Sequence, residues 1–263
     1  MPTNLATTFP NLERLASSQG TSLALLAARP GDETAFLNLA SSCWWVASGL
    51  LRQEAVADPY GYLATLDAFL GSFTETELPR QKFWNKIKNP NASAFLDTVA
   101  EAAFSVQLRQ GGQQVRIEQP FAAAQGSKDA DILLTANGTD HWLDVICLDP
   151  HEDVIAGGFV QQGPTQLAEL FSRAVERKYN KKFRDAVANG PLQGASVGVL
   201  ACILKYEAAL VPLVLFGHPL PEPPPALFQQ CPGLSVAWVH TLRKPVANTD
   251  LLVPMPVLRW FRS

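Results

Sequence analysis

At 263 residues, with 47% hydrophobic and 17% charged residues, the chain is long enough and apolar enough to bury a substantial core, which argues against general disorder. Its formal net charge of −3 leaves no bulk attraction for phosphate, so any nucleic-acid affinity would have to come from a local patch. The first residues, Met1 to Pro10, lack a basic stretch followed by an apolar one, so no secretory signal is expected. No run approaches the roughly 18 apolar residues needed to span a bilayer. A reducing, cytoplasmic setting with no membrane partner follows. Cys43, Cys147, Cys202 and Cys231 are scattered without metal-ligand spacing, and Cys147 and Cys202 read as small buried hydrophobes.

Residues 1–90 read as a helical lobe. Leu, Ala and aromatic residues recur at three- and four-residue intervals over 11–28, 34–54 and 60–72. Arg29-Pro30-Gly31-Asp32 and Ala57-Asp58-Pro59 mark the turns between them. Trp44-Trp45 suits core or interface packing better than base stacking, and it leaves a homo-oligomer open. Over 80–88, Arg80, Lys82, Lys86 and Lys88 interleave with Phe83 and Trp84. This patch is either a nucleic-acid contact or, as we favour, a solvated helix face.

Residues 91–263 read as an α/β core with further strands at its end. A helix over 93–110 carries the stripe Phe95, Val99, Ala102 and Val106 and ends at Gly111-Gly112. Strands follow over 113–121, 131–135 and 141–148. Asn137-Gly138 signals a hairpin, with a connection of four to five residues between the last two strands. A loop, with Asp149 to Asp153 as its polar start, leads to a long helix over 165–188 that stops at Asn189-Gly190-Pro191. A buried strand over 195–206, a stiff proline-rich connector over 219–225, and strands over 234–240 and 250–257 complete the chain.

Three residues stand out chemically. Asp144 sits among Trp142, Leu143, Val145 and Ile146, where an aspartate has poor strand propensity and is costly to bury without a partner. Asp131 enters an apolar strand thirteen positions earlier, although Lys128-Asp129-Ala130-Asp131 also suits a turn. On the long helix Leu167, Phe171, Ala174 and Lys178 share one arc, which places a lysine on the face that should pack against the sheet.

The stretch from Phe95 to Cys147, and the order helix–strand–strand–strand–helix–strand around it, resembles the PD-(D/E)XK (restriction-endonuclease-like) superfamily. The resemblance implies a restriction-endonuclease-like α/β core. It also implies Asp131 and Asp144 as ligands of Mg²⁺ or Mn²⁺, with Glu101 on the preceding helix as an assisting acid. The family's strand lysine falls at Ile146, so the signature is incomplete. Related families move that lysine to the following helix, which implies Lys178 as the replacement and Lys182 as the second choice. The reading drawn from the sequence is a degenerate member that acts through protein or nucleic-acid binding. The alternative is an active Mg²⁺-dependent nuclease cutting DNA or RNA with the relocated lysine, and Lys82, Lys86, Lys88 and Lys182 as candidate nucleic-acid contacts.

Overall fold

The structure is a computed structural model that describes residues 5–28, 59–88, 92–123, 127–148, 164–203, 222–224, 226–243 and 253–262. The expected helix over 34–54 with Trp44-Trp45, the Asp149–Asp153 stretch and most of the proline-rich connector lie outside the described residues. The chain is mixed α/β and divides into two compact units, Met1–Gly111 with Leu242–Val253, and Gly112–Thr241 with Pro254–Ser263.

In the first unit, short helices α1 (Leu5–Thr8), α2 (Pro10–Ser18) and α3 (Leu23–Ala28) precede α4 (Pro59–Ser72), α5 (Arg80–Ile87) and α6 (Ala92–Gln110). The helix expected over 11–28 is therefore two. Gly20, at φ 74°, takes the left-handed conformation that ends α2. Asp67 on α4 receives the Asn11 and Leu12 amides at 2.8 and 2.9 Å, which satisfies two donors in the first turn of α2. Phe69 stacks 5.1 Å from both Phe73 and Phe83, and Tyr62 meets Phe95 edge-on at 6.3 Å. On α5, Phe83 and Trp84 are buried while Lys82 and Lys88 are exposed. Helix α6 does not show a single apolar stripe. Residues on all its faces are buried, including Thr98, Glu101 and Ser105, and the two hydroxyls are satisfied by carbonyls one turn back.

The second unit is built on strands β1 (Gln114–Pro120), β2 (Asp129–Ala136), β3 (Thr139–Leu148), β4 (Ser196–Ile203), β5 (Leu234–Arg243) and β6 (Val253–Phe261), which lie in that order in one mixed sheet. Strands β1, β2 and β3 are antiparallel, whereas β4 runs parallel to both β3 and β5. Strands β2 and β3 are joined by a two-residue turn rather than the longer connection expected. Asn137 and Gly138 both have positive φ, 51° and 75°, the twist-matched geometry that this dipeptide favours.

Helices α7 (Pro164–Lys182) and α8 (Arg184–Asn189) replace the single helix expected over 165–188. The break falls at Phe183, which is fully buried and stacks on Phe121 at 5.6 Å. The Val187 amide still bonds the Phe183 carbonyl, so the helical path bends without being lost. Ala168, Phe171, Val175 and Tyr179 form the buried stripe of α7 and belong to one cluster with Val199 and Ala201 of β4 and Ala237 and Val239 of β5. Trp142 and Ile146 of β3 pack against that cluster. Side chains alternate along a strand, so Asp144 shares this face, under α7.

Candidate active site

Asp131 and Asp144 are brought together by the β2–β3 hairpin. The ladder runs to the pair Ile132–Leu143, and one further step in the same register sets Asp131 opposite Asp144. There the Asp131 carboxylate intervenes, and its Oδ2 accepts the Val145 amide at 2.8 Å. On the other side of β2, the ladder to β1 skips Glu118, whose φ of 53° is a rare conformation for a glutamate.

Helix α7 supplies the counter-charges. Lys178 and Lys182 are one turn apart and point the same way, an arrangement set by the helical period. Lys178 Nζ lies 2.8 Å from Asp144 Oδ2 and donates to the Val145 carbonyl at 3.2 Å. Lys182 Nζ lies 3.0 Å from Asp144 Oδ1, 3.8 Å from Asp131 Oδ1 and 3.7 Å from Asp129 Oδ1. The Asp144 side chain is fully buried, while those of Lys178 and Lys182 keep 21% and 19% of their surface, enough for an approach from solvent.

The electrostatics are unbalanced in an informative way. Burial pushes the Asp144 carboxyl up to about 7, the neighbouring charge of Asp131 adds to that push, and the two ammoniums oppose it. Burial alone would lower Lys182, but the carboxylates of Asp131, Asp144 and Asp129 outweigh it and raise it above its ordinary value. Both Asp144 oxygens are buried, each against an ammonium, at 2.8 and 3.0 Å, with the Asp131 carboxylate beside them. Buried oxygens in that state, beside a second carboxylate, suit a hard cation. Among the described residues no group of three or more His, Cys, Asp or Glu side chains is placed to hold a metal ion.

Glu101, on α6 in the first unit, is 4% exposed, and Lys86 Nζ on α5 meets its Oε2 at 2.7 Å. Its burial comes from the crowding of α6 on every face. Lys86 is thereby engaged, whereas Lys82 and Lys88 stay on the exposed side of α5. The sequence reading passed over Asp129, treating it as part of a turn. Its spacing of two from Asp131 on a strand is the signal that puts both on one face. Ile146, where the family pattern has lysine, packs into the core beneath α7 instead.

No helix among the described residues is long and apolar enough to cross a membrane. Comparison of the chain with protein-family models, with curated proteins and with solved structures returns no match.

Proposed function

We propose that the second unit is a PD-(D/E)XK-like phosphodiester hydrolase, a nuclease of DNA or RNA in which lysines on α7 stand in for the strand lysine absent at Ile146. One observation carries the reading: Lys178 and Lys182 of the helix converge on the carboxylates of two adjacent strands. A structural ion pair needs one acid and one base. Here a buried aspartate is kept beside a second one although that crowding opposes its ionisation, a standing cost that marks functional sites.

Mg²⁺ fits the donor set of Asp131, Asp144 and the Val145 carbonyl, and when bound it would polarise a phosphodiester and acidify a water. The chain's own residues do the rest. The sheet fixes both carboxylates on rigid strands, so they need no rearrangement to act. Lys182 holds positive charge beside them, where it stabilises the negative charge that develops on phosphate oxygens during attack. Glu101, matched by Lys86, is assigned to the fold and given no part in the reaction.

The net charge of −3 favours a second reading, in which the core is degenerate and binds a protein partner. A plasmid-nicking assay with Mn²⁺ or Mg²⁺ separates the two. The nuclease reading expects nicking by the parent chain and none by Asp144→Asn. A parent chain that nicks with neither ion leaves the degenerate domain as the better account.

A further inference from the structure

We infer that the Lys178 ammonium is the resident cation of the carboxylate site, seated between Asp144 Oδ2 and the Val145 carbonyl, and that a divalent ion must displace it to bind. This deepens the reading above and rests on it. It divides the work between the two lysines, which the sequence could only rank.

The geometry separates them. Lys178 Nζ touches one carboxylate oxygen at 2.8 Å and the carbonyl of the next residue at 3.2 Å, two hard oxygen donors of the kind a divalent ion takes. Lys182 Nζ instead bridges the other Asp144 oxygen to Asp131 and Asp129. An ion drawing on Asp144 Oδ2 and the Val145 carbonyl competes with Lys178 for the same lone pairs, and two cations cannot share them closely. With Lys182 such an ion would share only the looser Asp131 contact, at 3.8 Å.

Displacement costs little movement of the backbone. Tyr179, 1% exposed and donating its hydroxyl to the Pro232 carbonyl, pins α7 to the unit, so the helix stays in place. The lysine stem has four rotatable carbons, and a fifth of the side chain already reaches solvent, so the amine has a way out. Asp144 has none, since it is fully buried. On binding, the site would trade a tethered monovalent cation for a divalent one.

Calorimetric titration of Mn²⁺ into the full chain and its Lys178→Met variant tests this, because methionine keeps the stem and removes the charge. The variant should bind Mn²⁺ more tightly than the parent, by on the order of 10- to 100-fold. A second measurement uses the unaltered chain and does not depend on the variant folding. Lysine acetylation read by mass spectrometry should show Lys178 gaining reactivity at saturating Mn²⁺. Equal or weaker binding by Lys178→Met, or unchanged Lys178 labelling at saturating Mn²⁺, overturns the inference. Nicking by the parent chain in that case leaves the nuclease reading standing. Absence of Mn²⁺ binding by both proteins overturns the inference and the metal-dependent reading together.

Discussion

Each unit of the molecule buries an acid against a lysine, and the two sites are built to opposite ends. In the first unit the Glu101 carboxylate on α6 and the Lys86 ammonium on α5 form an ion pair at 2.7 Å. In the second, Asp144 meets two ammoniums at 2.8 and 3.0 Å, and one of these also faces Asp131 and Asp129. The matched pair fastens helices. The crowded group keeps an aspartate up at about 7 beside a second carboxylate and two ammoniums, an arrangement suited to holding a charged ligand. Burial of a charge is therefore not what distinguishes a site. What distinguishes it is like charge held together on rigid strands.

Paired substitutions can break this contrast. The largest expected effect is on hydrolysis: Asp144→Asn should bring nicking to background, while Glu101→Gln should leave it intact in a chain that remains folded. Loss of nicking in both variants would place Glu101 in the reaction after all. Next, Lys182→Met should lower kcat by on the order of 10² to 10³, as removal of a charge-stabilising donor does, and Lys86→Met should not. Single-turnover cleavage rates at saturating metal give the comparison.

Stability probes the two groups differently. Glu101→Gln removes the charge that Lys86 faces at 2.7 Å and should cost about 1–3 kcal/mol in urea unfolding. For Asp144 the consequence depends on pH. Its folded value of about 7 lies above the ordinary 3.8, so the native state binds the extra proton. The stability this contributes is fully present below about pH 4 and is lost as pH rises toward 7. Asp144→Asn removes that loss. The difference in Tm between variant and parent should therefore shift in the variant's favour from pH 5 to pH 8. A difference independent of pH would mean that Asp144 is ionised throughout, and the contrast with the Glu101 pair would shrink.

Much of the second unit was legible in the sequence. Alternation located β1, β2 and β3, Asn137-Gly138 located the turn, and the helical arc singled out Lys178. Even so, turn length and helix ends were misjudged where a single residue decides them: positive φ at Asn137 and Gly138, Gly20 after α2, and buried Phe183 between α7 and α8. The burial of Glu101 was not legible for a different reason. A helical period tells which residues share a face, but it cannot tell that every face of α6 is covered.

By itself the sequence determined the local geometry of the site: two aspartates brought level by a hairpin, and two lysines one turn apart on a helix. Only the tertiary structure decided that these meet. Lys178 lies 34 residues after Asp144 in the chain, and no local period spans that distance. Their contact depends on how α7 is rotated and seated on the sheet. Packing of Phe171, Val175 and Tyr179 with Val199, Ala201, Ala237 and Val239 sets that rotation. A turn of one residue would swing each lysine by about 100° away from the carboxylates.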